Sequence, residues 1–528
     1  MIIMGGGDQH PNPCDSDEST ESSPLLTRQR PQRPSHRPTL SVTSIASVRV
    51  PKVHNGRTVV NLLCIIAFIA SSSSGFAAIP VTRILEDVLC RQYYGLREES
   101  GPPIDEKLCK EDAIQNKVAF IMAVASSADA AVGFLAAFPW GLLADRIGRK
   151  PVFVINLFGM FINLSWSIVV LYFHTVFPLQ LVWLGSAGYL IGGGNAVLLG
   201  IILSMITDST TEEERAIAFI RLHVAGLCGN LVSPALSSAM MEKTGPWPSI
   251  WIAFCAIVIS AIAFLFVPET LKHQPDHEEV HEVETDAPGL QSRISHVINR
   301  FKHSLSILKS PSIILLLLTC LGSAPVAYAS LQFMAQFVSK RYSIKLAQTG
   351  YVQATYGIAQ VMHALLILPW LARFVMKDTT PARFRAADEH HRDLSLARWS
   401  FGILFIGALV LGLAPSLAGF IFGLTLMAFG SGFNSLTRSL MSLYVDPEHR
   451  SRLFSLVGMV EVVGNVYAQP MLAGLFALGM KLEGGWIGLP YYGLSLLIAA
   501  TASLLIFVRV PQEVTESSVA HEEGHHRD

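Results

Sequence analysis

Charge is what this chain has least of. Asp, Glu, Lys and Arg make up 15% of its 528 residues and hydrophobic side chains 51%. The charges gather between apolar runs of roughly 20 to 28 residues, enough to cross a hydrocarbon core of about 30 Å. A soluble core of this size has no need of such runs. Nor is there a basic excess: 39 Lys and Arg stand against 40 Asp and Glu, a net charge of -1. That excludes nucleic acid as the partner, because phosphate binding needs a concentrated basic face. No Walker-type loop is present, so energy is expected from an ion gradient rather than from ATP, with no cofactor. No catalytic triad or metal-ligand helix is visible, so neither an enzyme nor a metal centre is expected. The seven cysteines, Cys14, Cys64, Cys90, Cys109, Cys228, Cys255 and Cys320, lack a zinc spacing. No cleavable signal peptide is expected, because the first apolar run begins only at Val59 and is long enough to span by itself.

What remains is a series of spans. Val59 to Thr82 holds no charge, and Val118 to Ala144 holds one, Asp129. Pro151 to Tyr172, Leu179 to Thr207, Leu222 to Met241 and Trp247 to Pro268 complete a first six. About forty polar residues then precede Pro311 to Val338 and Leu346 to Ala372. Trp399 to Thr437 is too long for one crossing and splits at Ala414-Pro415-Ser416. Leu453 to Met480 and Gly484 to Val508 make twelve. The predicted fold class is an all-α membrane protein with two six-helix halves, 58–270 and 311–509. A disordered tail (1–57), a central loop (271–310) and a short tail (510–528) flank and join them.

Basic residues set the orientation. The even-numbered loops carry Arg146, Arg149, Lys150, Arg215, five Lys or Arg in the central loop, six from Arg373 to Arg398, Arg450 and Arg452. The short odd-numbered loops carry only Lys243, Lys340, Arg341, Lys345 and Lys481. This bias places both tails in the cytoplasm. The first external loop, Arg83 to Asn116, is mixed in charge and counts little. A weak repeat links the halves: Pro139-Trp140 matches Pro369-Trp370, Gly192-Gly-Gly-Asn195 matches Gly430-Ser-Gly-Phe-Asn434, and Asp208 to Arg215 matches Asp446-Pro-Glu-His-Arg450. Offsets of about 230 to 240 residues favour two homologous halves, the organisation of alternating-access transporters.

The loop Gly141-Leu-Leu-Ala-Asp145-Arg146-Ile-Gly148-Arg149-Lys150 lies between spans two and three. Gly141 is expected to let two helices approach closely, and Gly148 to permit a tight reversal. Asp145 has a natural partner in Arg149 or in the positive end of a neighbouring helix. With twelve spans arranged six and six, this loop resembles the signature of the major facilitator superfamily. Cys90-Arg-Gln-Tyr-Tyr94, Val267-Pro-Glu-Thr270 and Gly488-Leu-Pro490 resemble the fungal branch related to twelve-span drug:proton antiporters. The resemblance implies that Asp145 latches against the start of span eleven and closes the cytoplasmic side; otherwise these charges merely fix topology. The chain departs from the antiporter pattern in two places. Span four has no basic residue, and Gly226-Leu-Cys-Gly229-Asn-Leu-Val-Ser-Pro234 displaces the proline of the span-five motif.

A carboxylate at bilayer depth is costly unless protonated, paired or facing a wet cavity, so Asp129 and Glu461, both near the midplane, are proton-coupling candidates. His363 in span eight is a third, because imidazole changes charge near neutral pH. A satisfied interhelical hydrogen bond is the alternative for each. Glu461, Asn465 and Gln469 share a helix face. Ser72, within the run Ser71 to Ser74, and Asn195, Gln332, Gln336, Gln353, Tyr356 and Asn434 are cavity candidates. The serines equally suit close helix packing. Arg438 is expected either to meet an anionic group or to snorkel to the interface. This neutral, amide-rich and aromatic set suits a moderately apolar organic molecule.

Glu21-Ser-Ser-Pro-Leu25-Leu26 in the first tail fits an acidic dileucine sorting pattern. His273 to Asp286 is acidic and histidine-rich, and reads as a solvated linker or a weak metal-binding stretch. Leu290, Ile294, Val297, Phe301 and Leu305 recur at helical spacing among basic residues, as on an inner-leaflet amphipathic helix. Only Cys90 and Cys109 lie in an external loop, where a disulfide is expected. The leading reading is a monomeric, proton-coupled exporter of a small organic compound, such as a fungal secondary metabolite or xenobiotic, in the plasma or vacuolar membrane. A proton-coupled importer of a nutrient or anion, and a vacuolar zinc or metal-chelate transporter, are the alternatives. A non-transporting sensor would need a longer signalling tail or a soluble domain.

Overall fold

The computed structural model describes residues 56–96, 105–269, 311–377, 381, 389–445 and 450–508. The side chains of Asp145, Arg215, Arg450 and Arg452 are among those left out. The dileucine Glu21, Leu25 and Leu26, the histidine-rich stretch and the expected basic helix lie outside the described residues.

Twelve helices are long and apolar enough to cross a membrane. They are α1 Gly56–Tyr93, α2 Asp112–Ala144, α3 Arg149–Tyr172, α4 Leu179–Ser209, α5 Ile217–Thr244, α6 Pro246–Leu265, α7 Pro311–Arg341, α8 Leu346–Val375, α9 His391–Leu413, α10 Leu417–Tyr444, α11 Leu456–Leu482 and α12 Gly484–Ile506. A helix is what an apolar run must form in lipid, because it satisfies its backbone groups internally. The outward faces are correspondingly apolar: Leu135, Leu366, Leu496 and Phe507 expose 64 to 72% of their surface.

Two helices differ from the sequence expectation. The first does not end at Thr82 but runs to Tyr93. Its charges are neutralised along the helix, Arg83 with Glu86 at 3.0 Å and Arg91 with Asp87 at 2.9 Å, the spacing at which helical side chains meet. The fourth is not continuous. A 3₁₀ segment, Leu179–Leu190, gives way to an α-helix, Gly194–Ser209. Between them Gly192, Gly193 and Gly194 take φ of 97°, 86° and 65°, the left-handed region that side chains avoid. Asn156 of α3 donates to the carbonyls of Gly192 (2.7 Å) and Gly194 (2.8 Å) that the break would otherwise orphan.

A Cβ at Gly192 would meet the backbone nitrogen of Asn156 at 2.6 Å. Gly192→Ala therefore combines backbone strain of about 1 to 2 kcal/mol with overpacking of about 1 to 3 kcal/mol. The expected result is a clearly lowered melting midpoint in detergent; unchanged melting would show that the break tolerates a side chain.

In the first half α1 packs on α5 and α6, and α4 on α2 and α3; in the second, α9 packs on α10 and α12, and α7 on α11 and α12. The halves meet along α2 with α11 and α5 with α8. The first half has two separate apolar layers. One, around Leu63, Phe153 and Met205, lies toward the Gly148 end. The other, around Leu85, Ile114 and Leu171, lies toward the first loop. The polar side chains between these layers supply the site.

Candidate functional site

Asp129 lies at the middle of the 36-residue helix Asp112–Ile147. Asn163 of α3 donates from Nδ2 to its Oδ1 at 3.2 Å. The phenols of Tyr189 in α4 and Tyr328 in α7 are both close enough to feel its charge. The break in α4 supports this arrangement, since Gly188 lets α4 approach the backbone of Asn163 and the carbonyl of Gly193 comes up to Gly133, one turn beyond Asp129. One carboxyl thus stands between the two apolar layers, with an amide and a phenol from its own half and a phenol from the other.

Glu461 is not the lone carboxylate that its apolar neighbours imply. Arg438 of α10 donates to its Oε1 at 2.5 Å. The pair lies roughly 16 Å along the helix that begins at Arg450, at 1.5 Å per residue. Arg438, 47% exposed, thus meets a carboxylate of its own half. Cys320 of α7 feels both charges and bonds to Thr437. His223, from α5 of the opposite half, lies within electrostatic reach of Arg438.

The other cavity candidates divide. Gln332 accepts from Gln469 of α11 at 3.0 Å, which joins that end of the α11 polar face to α7. Gln332 lies in a π-helical segment, Ala329–Phe333, a local widening that often marks working positions in helices. Tyr356 is buried against Ser330 of that segment, and Gln353 is buried one turn away. Asn195 is exposed on the first turn after the α4 break, and Asn434 is half-buried with its Oδ1 unpartnered among the described residues. Ser72 bonds to the carbonyl of Phe68 in its own helix, and Ser73 to that of Ala253 in α6. Gly229 packs its backbone against Ser71 and Ser72, so the serine run joins helices. Gln336 points away from the centre, to Gln115. His363 sits in a second π-helical segment, His363–Ile367. It is 3% exposed, and neither ring nitrogen has a hydrogen-bond partner among the described residues, so the expected interhelical bond is not there.

The loop between α2 and α3 is held by groups that sequence reading passes over. Arg149 donates to Asp208 at the end of α4. The backbone nitrogens of Arg149 and Lys150 donate to the two carboxylate oxygens of Glu269, at 3.2 and 3.0 Å. A carboxylate there satisfies orphan donors and complements the helix dipole. The Lys150 ammonium reaches the carbonyl of Leu265 at 2.5 Å. Gly148 turns with φ of 105°, and a Cβ on it would come within 2.8 Å of Glu269. Gly141 does not serve a close approach, for a Cβ there would meet nothing within 4 Å. Arg146 is exposed, and the two ends of the expected latch, Asp145 and the start of the α11 helix, have side chains outside the described set.

Asn163, Tyr189, Tyr328 and His223 are thus additions to the residues the sequence singles out, while Asp208 and Glu269, quoted there within a repeat and a motif, gain partners. For Asn163 the available signal is an amide inside an apolar run; for Glu269 it is the Val267-Pro-Glu-Thr270 motif itself.

The model of the Major Facilitator Superfamily matches residues 63–387. The chain is 28% identical over 445 residues to "MFS efflux pump atnC" of Emericella nidulans, covering 82% of this chain and 84% of the relative. It is 26% identical to "Efflux pump ustT" of Aspergillus flavus, covering 77% and 79%. Among solved structures, a D-xylose–proton symporter superposes with TM-score 0.58 at 14% identity, over 86% of this chain and 98% of that one. The human organic anion transporter MFSD10 superposes with TM-score 0.54 at 15% identity, over 85% and 99%. These likenesses concern the fold.

Proposed function

The chain belongs to the major facilitator superfamily, and from that premise we propose that this transporter exports a small organic compound in exchange for protons. Both tails lie in the cytoplasm in this reading, as the basic loops require, and the membrane is the plasma or vacuolar membrane. The observation that carries the coupling is Asp129, a carboxyl at mid-depth with one amide partner, placed where helices of both halves converge. Proton and cargo compete at this carboxyl: a proton lost to the cytoplasm frees the site among Tyr189, Tyr328 and Gln332 for cargo. A proton taken up from the outer side displaces the cargo and lets the empty site return. The two halves rock about this point, the usual division of labour in inverted-repeat transporters. Export is supported by relatives named as efflux pumps. A neutral cargo is favoured over an anion because Glu461 already occupies Arg438 at 2.5 Å.

Metabolite profiles of cells with and without the gene test this reading. Deletion should raise the internal level of at least one organic compound several-fold, and a protonophore applied to normal cells should do the same. An unchanged profile in both arms rejects proton-coupled export.

A further inference from the structure

The end of the bundle bearing the first loop is closed by buried charge. Glu86 of α1 is 1% exposed, and both its oxygens are engaged. Oε1 accepts from Lys110 Nζ and from Gln115 Nε2, each at 2.6 Å, and Oε2 accepts from Arg83 at 3.0 Å. Lys110, itself buried, also reaches Glu106 at 3.1 Å. Ions this deep persist only when paired and hydrogen-bonded on every side. Beside them Cys90 and Cys109 are disulfide-bonded, with Cα atoms 5.2 Å apart, which ties the segment carrying Glu106 and Lys110 to the end of α1.

That segment then crosses to the other half. Glu106 Oε1 accepts from the backbone nitrogen of Leu346, at the start of α8, at 2.7 Å. Lys340, at the end of α7, pairs with Asp112 at 2.5 Å and also donates to the carbonyl of Lys110. Gln336, one turn earlier, donates to the carbonyl of Gln115 at 2.7 Å. Two further contacts join the halves, Tyr351 to Glu242 at this same end and Ser127 to the carbonyl of Val466 near mid-depth.

We infer that the segment from Asp105 to Gln115, pinned to α1 by the Cys90–Cys109 disulfide and docked on Gln336, Lys340 and Leu346, is the outer bolt of the transport cycle. It must part before the central pocket opens outward. The inference rests on the transporter reading and its orientation. It deepens that reading by assigning one gate to a segment whose charges are otherwise unexplained. The disulfide keeps Glu106 and Lys110 poised over the end of α1 while the bolt is drawn, so that the same contacts re-form when the halves swing back.

The test is access to the pocket, which needs no cargo. Gln332, exposed on α7, is replaced by cysteine in a protein whose Cys14, Cys64, Cys228, Cys255 and Cys320 are serine. A membrane-impermeant thiol reagent is then added outside intact cells. Labelling rate reports the outward-open fraction, so the parent should label slowly. Glu106→Ala/Lys340→Ala and Cys90→Ser/Cys109→Ser should each label about tenfold faster, as expected when a closed state loses its contacts. Lys340→Asp should label fast, and Asp112→Lys added to it should return the rate toward the parent, a rescue that misfolding cannot give. Parent labelling as fast as the variants, or unchanged labelling in both loosened variants, overturns the bolt. A parent that labels as expected, beside a wild-type protein that moves no compound, would instead refute the transporter reading alone.

Discussion

Asp129→Asn is expected to leave the protein folded in the membrane and to abolish proton-driven transport. The amide has the volume of the carboxyl and still offers Asn163 an oxygen at the position of the 3.2 Å contact, so packing among α2, α3 and α4 is preserved. What it cannot do is take up and release a proton. In vesicles with an imposed pH gradient, net movement of cargo should fall about a hundredfold, corresponding to about 2.8 kcal/mol of lost driving interaction. Exchange of cargo for cargo, which needs no proton, should persist. The pH dependence of whatever transport remains should flatten. An unchanged pH profile removes Asp129 from the coupling scheme.

The second large effect concerns the intramembrane ion pair. Breaking a buried pair by removing one partner costs about 3 to 5 kcal/mol because the other charge is left uncompensated. The Arg438 side chain is about half exposed, 47%, so a loss below that range is expected, about 2 to 3 kcal/mol after allowance for solvent screening. Glu461→Gln and Arg438→Gln should each lower the melting midpoint in detergent. The double variant, with no stranded charge, should recover most of the loss. Single variants that melt like the wild type would show that water, not the partner, satisfies each group.

The spans were legible because the bilayer leaves a chain little choice. An uncharged run of span length must become a helix, and twelve such runs could be counted directly. Where the sequence misled, the missing information was tertiary. Thr82 seemed to end α1 because Arg83 and Glu86 follow, yet those charges neutralise each other on the same helix and on Lys110. The partner of Glu461 is 23 residues away on another helix, and no periodicity announces it. The glycines of α4 enter the sequence reading only as one member of a repeat, and three successive left-handed conformations can be recognised only once the backbone is traced. Glu269 stands about 120 positions from the helix end it caps. Gly141, conspicuous in the sequence, turns out to face open space. Asp129 was readable from its isolation alone, but its companions Asn163, Tyr189 and Tyr328 were not, since an amide or phenol in an apolar run is as often a packing residue.

The capping of α3 by Glu269 has a mechanical side. Glu269 lies just beyond the end of α6. Through its carboxylate the end of α6 is moored to the very turn that carries the glycine-and-arginine signature. A tilt of α6 is therefore transmitted directly to the start of α3.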